Sequence, residues 1–344
     1  RYPYGCLEQT TSRALPLLYF NEVTQNWGDN NQTQPDDIRN RVQNAIQRVL
    51  TMQNYNGGFG LWNENSPVER WLSAYALDFL TRAKELDYLV STPSYQRGLD
   101  WLKQSLNEVE YKAGDLAFRS YALYVLARAQ QAPLGEMRYL HDNYLVKLPT
   151  QIARAQLGAA LARYGDQARA REALEIALAE VQDPNLRDYG SPLRDRAAVL
   201  ALISESGLLN EQIPALADRL ADDMNNRRYT STQEQSWLLL AAHALLKDTA
   251  EPLQLAVSGQ MVNSANDYYL SPDYSELEQG VDIVNLGNNP VWYVLNTNGV
   301  PASPQPPAQE GFTISRRYYD RSGVEIDPTA IQQNDVLVAV ITGE

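Results

Sequence analysis

An α/α toroid is the fold this sequence predicts, with a smaller β portion after it. Three observations carry that prediction. Helical stretches rich in Ala and Leu begin near Glu8, Pro67, Asp115, Thr150, Pro192 and Thr232; from Pro67 onward they recur at intervals of about 35 to 48 residues. Amphipathic stretches at 36–53, 95–107, 134–146, 167–181 and 210–224 alternate with them and keep charges on one face. After Thr249 the apolar period changes from helical to strand-like. About six apolar helices paired with five to six amphipathic ones would close into a double ring, apolar set inside. The same repeat would also serve an open solenoid.

Each element has a local reason. Residues 8–20 place Leu15, Leu18 and Tyr19 at helical spacing. Asn26 to Pro35 is a polar loop, and Pro35-Asp36-Asp37 opens the next helix with a proline and two acids in its first turn. The run from Asn54 to Gly60 is rich in turn formers. Ser66-Pro67-Val68-Glu69 has the Ser-x-x-Glu spacing of a capping box, ahead of a helix with Trp71, Tyr75, Leu77 and Leu80. Later inner helices become apolar soon after their start, as in Tyr121-Ala122-Leu123-Tyr124, Ala159-Ala160-Leu161-Ala162, Ala197-Ala198-Val199-Leu200 and Leu238-Leu239-Leu240-Ala241-Ala242. Leu253–Val257, Val281–Leu286 and Val291–Leu295 read as strands, with a turn at 287–290 between the last two. Four prolines in Pro301–Pro307 read as an extended linker. Phe312–Tyr319 and Asp335–Ile341 read as strands of a further β unit. The domain boundaries expected are therefore 1–248, 249–306 and 307–344.

Composition narrows the function. A 44% hydrophobic content over 344 residues supports a sizeable core, and a formal charge of −13 argues against nucleic acid and anionic lipid as partners. No apolar run is long enough to span a bilayer, so no direct membrane contact is expected of this stretch. One cysteine rules out an internal disulfide. Two distant histidines and that cysteine leave no metal ligand set, and no cofactor motif stands out. Arg1 is not an initiator Met and the 335–341 strand barely begins a domain, so a fragment of a longer chain is expected.

The single cysteine, Cys6, lies three residues before Gln9 in Tyr2-Pro3-Tyr4-Gly5-Cys6-Leu7-Glu8-Gln9. A thiol and a carboxamide at that spacing meet in one tight turn, and loss of ammonia would join them as an internal thioester. Pro3 and Gly5 suit the turn. The helix that follows would put the pair at a helix N-terminus, which favours a thiolate. A lone buried cysteine packed as a small hydrophobe is the plainer alternative. Water would drain a thioester unless something shields it. Tyr2 and Tyr4 are candidates by proximity, though with 21 tyrosines in the chain both could equally be packing residues. Glu8 could polarise the ring or simply place a charge in the first turn.

Pro3-Tyr4-Gly5-Cys6-Leu7-Glu8-Gln9 resembles the Pro-x-Gly-Cys-Gly-Glu-Gln thioester signature of the α2-macroglobulin and complement family. Leu7 stands where the animal proteins usually carry Gly, and Cys-Leu-Glu-Gln resembles the form in bacterial α2-macroglobulins. The resemblance implies an α/α-toroid thioester domain over about 1–248. It implies the returning half of a CUB-type β-sandwich, and then the opening of a macroglobulin-like β domain. It also implies a function: a broad protease inhibitor whose Cys6–Gln9 thioester acylates a lysine of the attacking protease after a bait region is cut elsewhere in the parent chain. That is single-use trapping and not turnover, so no enzyme is expected. The partners implied are proteases and other domains of the parent. The location implied is the periplasm, with the parent a membrane-anchored lipoprotein. The Gly57–Trp62 loop weakly resembles that of prenyltransferase-type toroids.

In complement relatives a histidine takes up the acyl group. His243 sits in an apolar stretch and reads as a core residue, His141 reads as outer-helix, and Tyr111-Lys112 falls where the family histidine is expected. Without it, amines should be the main acceptors. Two rivals remain: a toroidal polysaccharide hydrolase or lyase using paired carboxylates such as Asp115, Asp195 and Glu234, and a passive helical-repeat binding scaffold.

Overall fold

The computed structural model describes residues 5–20, 35–181, 188–225, 227, 229–247, 252–264, 268–288, 291, 293, 303, 311 and 313–344. Compactness divides the chain into Arg1–Val291 and Trp292–Glu344.

Six helices of the first unit form a closed inner ring: α1 (Leu7–Ala14), α3 (Arg70–Glu85), α5 (Ala113–Arg128), α7 (Gln151–Arg163), α9 (Pro192–Ser206) and α11 (Thr232–Lys247). Each packs on the next, and α11 packs back on α1, so the array is a toroid and not a solenoid. Five outer helices accompany them among the described residues: α2 (Pro35–Leu50), α4 (Thr92–Glu108), α6 (Leu134–Tyr144), α8 (Gln167–Ala177) and α10 (Ile213–Asn225). The two sets differ for a simple reason. An inner helix touches neighbours on every side, so α3 is buried without a break from Leu72 to Ala83. An outer helix touches the ring on one side only, so α2 buries Ile38, Val42, Ile46 and Val49 at helical spacing and turns charges outward.

Helix boundaries follow side-chain chemistry. Thr150 Oγ1 accepts the Ala153 N–H at 3.2 Å, and Ser191 Oγ accepts that of Arg194 at 3.1 Å, each capping its helix. The helix expected over 8–20 stops at Ala14; Pro16 lacks the N–H that would continue the ladder and begins a short 3₁₀ turn. The capping box expected at Ser66–Glu69 does not form. The helix starts at Arg70 with no side-chain cap, and Ser66 instead closes a turn with Asn63. A box of the same spacing forms at Ser231–Glu234: Ser231 Oγ accepts the Glu234 N–H at 3.2 Å, and Glu234 Oε2 accepts the Ser231 N–H at 2.7 Å.

All six inner helices run the same way, so their C-terminal ends gather at one end of the ring. Arg82 lies there fully buried. It donates to Asp78 at 2.8 Å, to Glu205 at 2.7 Å and to the Tyr124 hydroxyl at 2.8 Å. Arg128 reaches the other oxygen of Glu205 at 2.8 Å and also pairs with Glu85. Burial alone would raise the Glu205 carboxyl; the two guanidiniums beside it hold it well below the usual carboxylate range.

Strands β1 (Leu253–Val257) and β2 (Gln260–Ser264) form a hairpin, and β3 (Ile283–Asn285) pairs antiparallel with β1. Ser258 and Gly259 both have positive φ, as a two-residue hairpin turn requires. Strand β2 and a short helix α12 (Tyr274–Gln279) had no counterpart in the sequence reading. The expected strand at 291–295 and the linker at 301–307 lie almost wholly outside the described residues. In the second unit β4 (Ile314–Tyr319) pairs antiparallel with β5 (Glu325–Ile326) and β6 (Val338–Gly343). The expected strand over 335–341 thus begins later and ends later. No described helix is long and apolar enough to cross a membrane.

Candidate functional site

The N-terminal ends of the inner helices gather at the other end of the ring, and Cys6 is there. It is the N-cap of α1, with extended φ and ψ of −67° and 172°. Its Sγ faces the backbone N–H of Gln9 at 3.5 Å, while Cys6 O accepts the Thr10 N–H at 2.9 Å. Both reactive candidates therefore belong to one helical turn and are half-buried together. Sulfur accepts hydrogen bonds poorly, and Ser, Thr, Asp or Asn would cap better. The choice of cysteine here is thus not explained by helix capping.

The turn is held from three sides. Leu7 is fully buried, and its N–H donates to Leu61 O at 2.8 Å, so the 57–62 loop is the floor of the site. Thr10 Oγ1 donates to Gly5 O at 3.3 Å. Glu8 reaches across to the last inner helix: its Oε1 accepts from Thr232 Oγ1 at 2.8 Å, from Ser12 Oγ at 2.7 Å and from Gln233 Nε2 at 3.4 Å. Ser12 is in turn 3.1 Å from the Tyr75 hydroxyl of α3. Neither sequence-level reading of Glu8 anticipated this seam, because Thr232 is 224 residues away.

The next loop around the rim is Asp188-Tyr189-Gly190. Arg194, buried at the start of α9, donates to Asp188 Oδ2 at 2.7 Å and to Asp195 Oδ1 at 2.6 Å. Burial pushes the Asp195 carboxyl up in spite of that guanidinium. Tyr189 is half exposed, with its ring centroid 6.2 Å from that of Trp71. Burial pushes its phenol up. Sequence reading missed this residue entirely. Its only signal was an aromatic just before an inner-helix start.

Tyr2 and Tyr4 lie outside the described residues. His141 is on α6, next to Asp142 and Glu172, and His243 stacks on Tyr19 with centroids 4.3 Å apart, toward the C-terminal ends of the ring. Neither sits by Cys6. Tyr111 stacks on Tyr144 at 4.4 Å, and Lys112 pairs with Glu110 at 3.2 Å. The three carboxylates considered for a hydrolase are already engaged. Asp115 accepts from the Glu110 N–H and Arg70, Asp195 from Arg194, and Glu234 from Ser191, Ser231 and Arg227. No described group of three His, Cys, Asp or Glu could hold a metal ion.

Comparison with known proteins points one way. A family model described as the A-macroglobulin TED domain matches residues 1–110. The α2-macroglobulin of Escherichia coli K12 is 33% identical over 98% of this chain and 21% of its own length. That of Xylella fastidiosa Temecula1 is 30% identical over 99% of this chain and 22% of its own. This chain thus spans about a fifth of the curated relatives it matches. Among solved structures, Salmonella α2-macroglobulin reacted with methylamine superposes with a TM-score of 0.70 at 33% identity, over 100% of this chain and 23% of that one. Escherichia coli α2-macroglobulin activated by porcine elastase gives 0.66 at 32%, over 100% of this chain and 32% of that one.

Proposed function

The chain belongs to the α2-macroglobulin family, and from that premise we propose that it carries a stored acyl group, a Cys6–Gln9 thioester, for covalent capture of proteases. The observation that carries this reading is the placement of Cys6 Sγ over the Gln9 N–H, within the Gly-Cys-Leu-Glu-Gln motif, at the rim of a closed toroid. Closure joins sulfur to Gln9 Cδ and releases ammonia. An attacking amine then bonds to Cδ, the C–S bond breaks with its electron pair on sulfur, and the amine loses its proton. The helix N-terminus suits that step, because its N–H groups face the charge that develops on sulfur.

In the full-length protein this chemistry would serve protease inhibition: cleavage of a bait region, rearrangement, and acylation of a lysine on the attacker. Each molecule would act once, which makes it an inhibitor and not a catalyst. The relatives' activation by elastase supports a protease partner, and reaction of the Salmonella relative with methylamine supports an amine acceptor. Neither described histidine stands by Cys6, so amides should outnumber esters among the adducts. Tyr2 and Tyr4 remain our candidates for shielding on the N-terminal side. A periplasmic, lipid-anchored parent fits the bacterial relatives.

Methylamine tests the reading. One amine incorporated at Gln9 and one thiol freed at Cys6, on a protein one ammonia lighter than its sequence, is the expected result. A protein of full sequence mass with a free thiol before any amine is added would reject it.

A further inference from the structure

We propose that the chain guards its acyl group against its own amines, and that Arg13 is the position where this guard acts most directly. The inference rests on the thioester reading above. It starts from an imbalance: the chain holds 24 arginines and 5 lysines. Residues 1–83 carry seven arginines and no lysine, and residues 148–246 carry ten arginines and no lysine. The first stretch supplies α1, α2 and nearly all of α3; the second supplies α9, α10 and α11 up to its last residue. The sectors of the toroid that flank α1 on both sides are thus built without lysine.

The five lysines are placed elsewhere. Lys84 is in the last turn of α3 and Lys247 is the last residue of α11, both at the end of the ring away from Cys6. Lys103 is on the outer helix α4 and donates at 2.6 Å to Gln131, beyond the C-terminal end of α5. Lys112 and Lys147 do lie at the Cys6 end, but beside α5 and α7, the third and fourth helices of the ring, across it from α1. Lys112 pairs with Glu110 at 3.2 Å, and Lys147 sits 5.0 Å from the Tyr144 ring centroid.

The cations around the cysteine turn are guanidiniums. Arg227 pairs with Glu234 at 2.8 Å, and Arg70 opens α3. Arg48 donates at 3.4 Å to the carbonyl of Trp62, next to the Leu61 that holds Leu7. Arg13 is the sharpest case. Cys6, Gln9 and Arg13 are spaced i, i+3 and i+7 along α1 and its cap, so they share one face. A helical side chain leans toward the turn before it, so a lysine at 13 would hang over Gln9. Ion pairing explains a guanidinium where a carboxylate grips it in a fork. Arg13 is exposed and has no ion pair among the described residues. A positive charge in the last turn of a helix would be served equally by lysine. What separates the two is nucleophilicity. At pH 7 about one lysine in 2,500 is the free amine, and a free guanidine is about a hundredfold rarer still. That small fraction is enough inside one molecule, because a tethered amine attacks at an effective concentration that no outside lysine reaches.

In Arg13→Lys the new ε-amine would bond to Gln9 Cδ. The C–S bond would break with its electron pair on sulfur, and the proton lost by nitrogen would end there as a thiol. The product is an isomer of the thioester form, spent without any protease. The test compares full-length wild type with R13K, R13Q and R163K; Arg163 is an exposed cation in the last turn of α7, at the other end of the ring. R13K should take up at least about tenfold less methylamine and show a Cys6 thiol before any amine is added. Its digest should contain an amide between Gln9 and residue 13, at an intact mass equal to that of its thioester form. R13Q and R163K should take up methylamine as wild type does. Full uptake in R13K, or lost uptake without the internal amide, would overturn the proposal and reduce the lysine shortage to composition. Lost uptake in R13Q would overturn it too, by giving the guanidinium a part of its own. A wild type that neither takes up methylamine nor releases a thiol would overturn the thioester reading, and this inference with it.

Discussion

The two ends of the inner ring solve opposite problems. At the C-terminal end, two guanidiniums and three carboxylates join in one network, and every charge meets an opposite one. At the N-terminal end, the Glu8 carboxylate is held by neutral donors, a serine, a threonine and an amide, and an aromatic stands strained in a half-exposed position. The first arrangement fixes geometry. The second holds the cysteine turn to the last inner helix through neutral donors alone. A charge-paired network and the cysteine turn thus occupy different poles of one scaffold.

That contrast can be broken in order of expected effect. Cys6→Ser should abolish amine uptake and covalent protease adducts altogether, while far-ultraviolet circular dichroism and the unfolding midpoint hold, since serine caps a helix at least as well. Loss of both adducts and fold would erase the division of labour. Arg82→Met acts at the other pole. It leaves Asp78 buried without its guanidinium and Glu205 with one remaining guanidinium, and should cost about 3–5 kcal/mol by urea unfolding. Amine uptake by the folded fraction should stay at the wild-type rate.

Acid should tell the same story without a mutation. The folded-state Glu205 is held below its unfolded value, so its contribution is present above about pH 4.5 and is lost as pH falls through the depressed folded value. Glu205→Gln should flatten that part of the stability–pH curve, and an unchanged slope would assign acid sensitivity elsewhere. The smallest effect is expected from Thr232→Val. It removes one donor to Glu8 and should cost about 1 kcal/mol, with Ser12 and Gln233 still in place.

What the sequence disclosed, and what it hid, divides along similar lines. Inner and outer helices were legible because burial on all sides and burial on one side leave different apolar patterns, as α3 and α2 illustrate. Thr150 was legible as a helix start because capping is a local event. Ser66–Glu69 and Ser231–Glu234 share one spacing, yet only the second closes as a box, since the Asn63 turn claims Ser66 first. That Cys6 and Gln9 share one turn was legible from their spacing. Its supports were not: Leu61, Thr232 and Arg194 reach the site through the closed ring, and Tyr189 carries a left-handed φ without the glycine or asparagine that would announce it.

The Glu8 bond to Thr232 joins residues 224 positions apart. A ribosome therefore delivers the cysteine turn long before the helix it must lean on, and the intervening helices have to stack before the two can meet. A nascent chain carries the sulfur and the amide without the framework that presses them into one place. The last inner helix to emerge is the one that completes the setting of that turn.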